Sequence, residues 1–176
     1  MNLLDQPDQL RVRTLTERDL EEFRALRLRG LKEDPHAFGM SFEEASHTPL
    51  EDWNKLLSNE HGSFILGAFA PQLIGLVAFS RSPRIKTRHK GHIWGMYVIP
   101  EARGRGIGKT LMQNALAKLQ AIDGLAVVTL CVVTLNTAAR SLYLNLGFVP
   151  YGLEKRALRV NGEYLDEELL SINLAH

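Results

Sequence analysis

Residues 100 to 112, PEARGRGIGKTLM, combine the residue types that bind an anionic group. Three alternate glycines stand beside three basic residues and an isoleucine that opens a helical pattern: Gly104, Gly106, Gly108, Arg103, Arg105, Lys109 and Ile107. Glycine has no Cβ, so an anion can approach its backbone N–H group closely. The first N–H groups of a helix lack partners and carry a partial positive charge. The segment therefore predicts a phosphate or pyrophosphate site, and a plain surface turn is the alternative.

The same segment ends in Gly108, Lys109 and Thr110, as the loop of a nucleotide triphosphatase does, but the rest of the spacing differs. That loop requires a glycine where this chain has Arg103, and the dinucleotide pattern G-x-G-x-x-G fails as well. A magnesium nucleotide also needs a carboxylate from the following strand, and the next apolar run, 125–133, has none. The sequence therefore argues against a magnesium-nucleotide site, and no metal site is predicted.

A second group able to do chemistry is Tyr143, which lies seven positions after Asn136. Seven positions are two helical turns, so both side chains lie on one face of a helix. A phenol of pKa ~10 stays protonated at pH 7 and can donate a proton. From spacing alone, Tyr143 is more typical of an apolar helix face shared with Ala139 and Leu142, and Asn136 of a helix N-cap.

Hydrophobic periodicity predicts the elements that position these groups. The predicted strands are 10–15, 63–69, 73–80, 92–99, 125–133, 148–158 and 164–174, and the predicted helices are 17–34, 50–59, 106–122 and 136–146. A right-handed β-α-β crossover makes strands 92–99 and 125–133 parallel neighbours, the second of them buried on both faces. The glycine segment then lies at the carboxyl end of strand 92–99, where open α/β sheets bind ligands.

The helix boundaries are predicted from capping residues. The helix at 50–59 is expected to start at Thr48, with Glu51 as the partner in a capping box. The last two helices are expected to end at Gly124 and Gly147. Residues 36–47 are predicted to be irregular.

Composition limits the partners of the chain. Its 176 residues, 45% hydrophobic and 23% charged, are typical of one globular domain. A net charge of +1 favours neither nucleic acid nor an anionic membrane as a partner. The first ten residues lack the basic start of a signal peptide, and no apolar run is long enough to span a bilayer. With Cys131 as the single cysteine, no internal disulfide is possible, and a cytoplasmic location is expected.

Two motifs together indicate a family resemblance. Residues Arg103 to Gly108 fit [RQ]-x-x-G-x-[GA], the signature loop of the GNAT superfamily of acyl-CoA-dependent N-acetyltransferases. The second signature of that family, N-x-x-A-x-x-x-Y-x-x-x-G-F, is formed here by Asn136, Ala139, Tyr143, Gly147 and Phe148. The resemblance covers nearly the whole chain and implies a single domain over residues 1–176. The implied α/β fold is a GNAT-like mixed, mostly antiparallel, seven-stranded sheet with a central parallel β-α-β unit and four helices.

The resemblance implies acetyl-CoA as acyl donor, with no metal. In this family the fourth and fifth strands splay apart, and the pantetheine arm pairs with backbone groups in the gap. Gly95, just before those groups, is typical of a bulge, and a backbone N–H near Val98 would polarise the thioester carbonyl. The implied cofactor-binding residues are Met96, Tyr97, Val98, Arg103, Gly104, Arg105, Gly106, Ile107, Gly108, Lys109, Asn136 and Tyr143.

The resemblance also implies that Tyr143 protonates the departing CoA thiolate, and the complete motif outweighs the apolar-face interpretation. An amine acceptor must lose a proton, so a base or a water chain is required. Relatives of the ribosomal-protein-alanine type often carry glutamates where this chain has Cys131 and His92. His92 is a candidate base because imidazole titrates near neutrality, with ordered water or a structural histidine as alternatives. Cys131, in an apolar run, is more typical of a small hydrophobic residue than of a nucleophile.

The acceptor pocket of this fold generally involves the first two helices, their connection and the last hairpin. The predicted substrate-binding residues are Phe38, Phe42, Trp94 and Tyr164, with Met40, Glu43, Glu44 and Trp53 as further candidates. Acidic residues among these segments would suit an amine or a basic peptide, and a solvated charge run is the alternative. The final strands of this fold commonly pair, so a homodimer is one expected assembly.

The leading hypothesis is therefore an N-acetyltransferase that moves an acetyl group from acetyl-CoA to a primary amine of a small molecule or peptide by direct attack. The alternative is a non-catalytic module that senses acetyl-CoA, and the retained Tyr143 argues against it. A nucleotide triphosphatase is the third hypothesis, and the loop spacing argues against it.

Overall fold

The computed structural model describes residues 10–58 and 60–174. The strands are β1 (Arg11–Thr14), β2 (Phe64–Phe69), β3 (Leu73–Arg81), β4 (Lys90–Val98), β5 (Val127–Val133), β6 (Val149–Val160) and β7 (Glu163–Asn173). The α-helices are α1 (Leu20–Glu33), α2 (Phe42–His47), α3 (Leu50–Leu56), α4 (Ile107–Gln120) and α5 (Thr137–Asn145). The first nine residues, where no signal peptide is predicted, lie outside the described residues.

The seven strands form one sheet in the order β1-β2-β3-β4-β5-β7-β6. The pair β4–β5 is parallel, and every other neighbouring pair is antiparallel. Helix α4 connects the two parallel strands. The predicted mixed, mostly antiparallel, seven-stranded sheet with a central parallel β-α-β unit is therefore confirmed.

Each face of the sheet carries its own apolar core. On one face, α4 packs Ile107, Leu111, Ala115 and Leu119 against the strands. These positions are four apart, so they share one side of the helix. On the other face, α1 and α3 pack against β2, β3 and β4, and Trp53 of α3 is buried among them. In the parts of the chain described, no helix is long and apolar enough to cross a membrane.

The prediction of irregular structure over residues 36–47 is wrong in its second half, because α2 forms there. The Oγ of Ser41 accepts a hydrogen bond from the N–H of Glu44, at 3.1 Å, and the Glu44 carboxylate accepts one from the N–H of Ser41, at 2.9 Å. This capping box satisfies two free donors of a short helix. The capping box predicted between Thr48 and Glu51 does not form, since α3 begins without a side-chain cap. The described residues thus form five α-helices, not four.

The two helices that flank β5 end differently. Helix α5 ends as predicted at Gly147, which has φ +93°. The N–H of Gly147 donates to the carbonyl of Leu144, and the N–H of Phe148 donates to that of Tyr143. This is the Schellman pattern. Helix α4, by contrast, ends at Gln120, so the prediction that Gly124 caps it is wrong.

Strand β5 is fully buried on one face only, contrary to the prediction. Val128, Leu130 and Val132 are buried against α4 and α5, whereas Cys131, which points the other way, is exposed. The helices on that second side pack on β2, β3 and β4 and leave Cys131 uncovered, although Val133 at the end of the strand is buried. An apolar run alone could not reveal this, because the cover comes from elements distant in sequence.

Gly91 of β4 offers a direct test of the core packing. A Cβ built at this position would lie 2.2 Å from two ring carbons of Phe79. We expect Gly91→Ala to lower the free energy of unfolding by about 1–3 kcal/mol, as overpacking of a core does. Urea denaturation measures the change. Gly39→Ala is the matched control, because a Cβ added there would lie 3.9 Å from its nearest neighbour, a side-chain carbon of Leu158. This variant should leave stability nearly unchanged. Equal stability for both variants would contradict this packing.

Candidate active site

A cleft opens in the middle of the sheet because β4 and β5 separate. The two strands pair only at Lys90, Gly91 and His92, opposite residues 127–129, and diverge beyond this point. The resulting cleft has a volume of about 480 Å³. Its lining includes Phe38, Met96, Tyr97, Val98, Arg103, Val133, Asn136 and Ala139. The splayed strands that the resemblance implies are therefore present.

The predicted bulge at Gly95 is confirmed. Leu76 of β3 pairs with Tyr97, but Ala78 pairs with Trp94, so β4 contains one extra residue between them. Gly95 has φ +67°, a conformation that is costly for a residue with a side chain. The bulge shifts the pleat of β4, which determines the face to which the following side chains point.

The side chain of Tyr143 reaches the inner part of this region from α5. It lines a smaller cavity of about 90 Å³ together with Phe38, Trp94, Gly95 and Cys131. Burial raises the pKa of Tyr143 to about 12. Within the described ranges, its hydroxyl has no hydrogen-bond partner. The phenol is therefore protonated at neutral pH and free to donate its proton to a group in the cavity.

Asn136 lies at the entrance to the same helix and lines both cavities. Its Oδ1 accepts a hydrogen bond from the N–H of Ala139 at 3.1 Å, so the predicted N-cap is confirmed. The motif thus has a local structural function, since it starts α5 where Tyr143, two turns later, points into the cavity.

The glycine loop precedes α4 and leaves its backbone open. Gly104 and Gly106 both have φ +76°, and a Cβ added to either would meet nothing within 4 Å. Among the described residues, the N–H groups of Gly104, Gly106, Ile107 and Gly108 have no acceptor. Gly108 differs, because an added Cβ would lie 2.9 Å from Met96. The loop therefore offers unpaired donors in open space at the N-terminus of a helix.

The basic residues of the loop have separate surroundings. The guanidinium of Arg103 donates to the carbonyl of Val98 at 2.9 Å and to Asp34 at 2.6 Å. Arg103 is thereby held against β4 and the end of α1, a contact between segments far apart in the sequence that no local pattern predicts. Arg105 and Lys109 are exposed.

Tyr97 presents different groups to the two sides of β4. Its ring is buried against Gly30 of α1, where an added Cβ would lie 3.0 Å away, and its hydroxyl donates to Glu33. Desolvation, and then this hydrogen bond, raise the pKa of Tyr97. The side chain is thus committed to the interface with α1, and its backbone is the part available to the cleft.

His92 lies at the last paired position of β4 and β5, where the strands begin to separate. Its Nδ1 is 3.0 Å from Oγ1 of Thr129. Burial lowers the pKa of His92, so the imidazole is neutral at pH 7. Oγ1 of Thr129 donates to the carbonyl of Gly91 at 3.3 Å, so Nδ1–H of His92 donates to Oγ1, and Nε2 of the neutral imidazole can accept a proton.

Cys131 is exposed on the open face of β5 and lines the small cavity. Partial desolvation in the cavity wall raises the pKa of this thiol, although its surface is exposed, and the negative charges of Glu167 and Glu154 raise it further. The thiol is therefore kept protonated, which disfavours a nucleophilic function.

The predicted acceptor residues lie in different parts of the structure. Phe38 and Trp94 line the cavity that contains Tyr143. Phe42 lines a second groove of about 870 Å³, between α2 and β6, together with Met40, Glu43 and Glu44, and Phe38 lines this groove too. Tyr164 lies 54% exposed beside the β6–β7 turn, flanked by Arg156 and Arg159. Trp53 is a core residue, stacked edge-on against Phe23.

Sequence reasoning missed one residue of this region, Arg27 of α1. Its guanidinium lies 4.4 Å from the ring centroid of Phe38 and 5.8 Å from that of Trp94. The sequence does contain a sign of this residue. Arg27 lies four positions from both Phe23 and Leu31, so a charged side chain interrupts the apolar stripe of its helix.

Comparisons with known proteins connect this geometry to a family. The acetyltransferase (GNAT) family model matches residues 22–148. The N-alpha-acetyltransferase RimI of Mycobacterium tuberculosis is 33% identical over 115 residues, 65% of this chain and 69% of that protein. The spermidine N(1)-acetyltransferase of Vibrio cholerae is 30% identical over 162 residues, 90% and 92% of the two chains. The structure of yncA from Salmonella typhimurium with its cofactor acetyl-CoA is 16% identical, with a TM-score of 0.80 over 94% of each chain.

The structural similarity confirms the predicted GNAT-like fold, and the family model spans both the glycine loop and the Asn136 to Phe148 motif. The chain therefore belongs to the acetyltransferase (GNAT) family.

Proposed function

We propose that the protein transfers an acetyl group from acetyl-CoA to a primary amine of a small molecule or peptide. The observation that carries this proposal is the cleft between β4 and β5, which joins two kinds of site. Arg103, at the start of the glycine loop, lies on its lining, and the cavity that contains the protonated Tyr143 shares Met96 and Asn136 with it. A related fold binds acetyl-CoA, and relatives are named for amine acetylation.

The residues present fit acetyl-CoA as the donor. Along β4, the residues from Ile93 to Val98 have no partner on β5, so backbone groups at Met96 and Val98 are available to an extended pantetheine arm. The unpaired amides of Gly104, Gly106, Ile107 and Gly108, with Lys109 beside them, would hold the pyrophosphate. The donor supplies an activated thioester. A backbone N–H near Val98 would polarise its carbonyl, in an oxyanion-hole role.

Two protons must move in this transfer. The amine nitrogen forms a bond to the acetyl carbon while the carbon–sulfur bond breaks. Tyr143 donates its proton toward the sulfur as negative charge develops there, and the ammonium formed at nitrogen loses a proton to a base. His92 is the base that we propose, because it is neutral and lies where the strands begin to separate.

The pH dependence tests this assignment. Because burial lowers the pKa of His92, kcat/KM should stay constant as the pH falls to below 6.5. It should decrease only when the imidazole becomes protonated, and this decrease is the acidic limb of the pH profile. We expect His92→Gln to lower kcat/KM about 10- to 100-fold at pH 8 and to lose that acidic limb. The acceptor amine also titrates, but it does so equally in both assays, so its effect cancels in the ratio of wild-type to His92→Gln kcat/KM. His89→Gln is the matched control and should behave as wild type. If His92→Gln kept the acidic limb of the pH profile, the base would be a group other than His92.

Thiol release tests the function itself. Acetyl-CoA incubated with the protein and a panel of amino acids, polyamines, aminoglycosides and peptides should release free CoA thiol only when a suitable amine is present. Acetyl-CoA binding without amine-dependent release across the panel would instead support the sensing module. Binding of ATP with Mg²⁺ and not of CoA would support a triphosphatase.

The expected assembly, location and partners stay predictions. A homodimer would use β6, which forms an edge of the sheet and exposes Val149, Tyr151 and Leu153, and sedimentation velocity would detect it. A cytoplasmic location and the lack of nucleic-acid and membrane partners can be checked by cell fractionation and binding assays.

A further inference from the structure

Arg27 is a buried cation that has no counter-ion among residues 10–58 and 60–174. It lies on the face of α1 that packs against the sheet and is 6% exposed. Its Nη1 is fully buried and has no hydrogen-bond partner in the described part of the chain. Every ion pair found among those residues involves other side chains. A buried charge in this state is costly unless some other group offsets it.

The charge persists at neutral pH. Desolvation lowers the pKa of Arg27 to about 10, and no acidic neighbour acts against this shift. The rings of Phe38 and Trp94 offset part of the cost through cation–π contacts. They do not supply an acceptor for the N–H groups of the guanidinium, which is a five-donor fork that matches a carboxylate.

The position of Arg27 relates it to the proposed reaction centre. An added Cβ at Gly95 would lie 3.7 Å from Nη1 of Arg27, so only the bare backbone of Gly95 stands beside the guanidinium. Gly95, Phe38 and Trp94 all line the small cavity with Tyr143. Three of the groups that contact Arg27 are thus walls of the cavity in which the acyl group would be transferred.

We propose that Arg27 binds a carboxylate of the acceptor, so that the acceptor is an amino acid or another amine bearing a carboxylate close to its amino group. This inference rests on the proposed transfer function and specifies its acceptor. A carboxylate would pair with both ends of the guanidinium fork after a shift of the Phe38 ring, which lies over it. A polyamine would instead bring further positive charge to an uncompensated cation.

Matched acceptors test the inference without any mutation. Amino acids and their carboxamides carry the same side chain and amino group and differ in the carboxylate. We expect wild-type kcat/KM to be at least about tenfold higher for the acid than for its amide, as loss of a charge-assisted pair would produce. Equal rates for acid and amide, or a preference for amides or polyamines, would overturn the inference.

Variants then assign the preference to Arg27. In Arg27→Met the ratio of acid to amide should fall to about one, through a slower acid reaction, while the Kd of acetyl-CoA stays within about twofold. Arg27→Lys keeps the charge without the fork and should retain part of the ratio. Arg18→Met removes an exposed arginine from the neighbouring turn and should leave the ratio unchanged. If the ratio of acid to amide kcat/KM were unchanged in Arg27→Met, Arg27 would only stack against the aromatic rings, and the inference would be contradicted.

A binding measurement separates this failure from failure of the proposed function. An N-acetyl amino acid should raise the Tm of the wild type, its N-acetyl amide should not, and Arg27→Met should lose the difference. If no amine releases thiol, the transfer function fails. If thiol release occurs but neither readout depends on Arg27, the transfer function stands and the carboxylate site is rejected.

Discussion

Replacing Tyr143 by Phe is expected to lower kcat about 10²- to 10³-fold, the range of an acid that acts only in the transition state. The variant loses Oη alone and keeps the ring, which packs edge-on against Phe148 with centroids 6.1 Å apart. The fold and the affinity for acetyl-CoA should therefore remain unchanged. Single-turnover acetyl transfer measures the chemical step, and equilibrium binding of CoA tests whether the affinity of the variant is unchanged.

The pH dependence adds a second readout for the same residue. Burial raises the pKa of Tyr143 to about 12, so the proton it donates is retained throughout the neutral and mildly alkaline range. Activity that depends on Tyr143 should be lost only as pH rises toward that value. Tyr151→Phe removes the hydroxyl of a half-exposed tyrosine on β6 and is the matched control. Full single-turnover rates in Tyr143→Phe would show that the leaving thiolate is protonated by another group.

Gly106→Ala is expected to raise the Kd of CoA about 10- to 100-fold. Gly106 has φ +76°, where a side chain costs about 1–2 kcal/mol, and the added methyl group enters the open space above the loop amides. Both effects act on the proposed pyrophosphate site. Isothermal titration with CoA measures the affinity.

The control for Gly106→Ala introduces the same kind of backbone strain at a glycine outside the loop. Gly162, in the β6–β7 turn, has φ +90° and also has open space beside it. Gly162→Ala should therefore lose similar stability and keep CoA affinity. S-acetylpantetheine, which lacks the pyrophosphate, should bind Gly106→Ala and wild type equally, within about threefold. An equal loss for both ligands would place the defect outside the phosphate site.

Local sequence patterns predicted most of the fold. All seven strands and four of the five helices were found, because each has a clear period and a turn or cap at its ends. Helix α2 was missed although Ser41 and Glu44 form the capping pattern, since six residues are too few to show a period. The exposed face of β5 was missed for a different reason. Whether Cys131 is covered depends on where α1 and α3 pack, and no local pattern encodes this.

For the candidate site, the sequence by itself determined the groups whose function depends on spacing. The glycines of the loop and the Asn136 to Tyr143 interval act through backbone conformation and helical period, which a linear pattern records. Only the tertiary structure decided which side chains face the cleft. It commits Arg103 to Asp34, places Phe42 in a groove that Tyr143 does not line, and brings Arg27 of α1 beside the bulge in β4. These relations arise between elements far apart in the chain, where burial and pairing depend on packing and not on neighbouring residues.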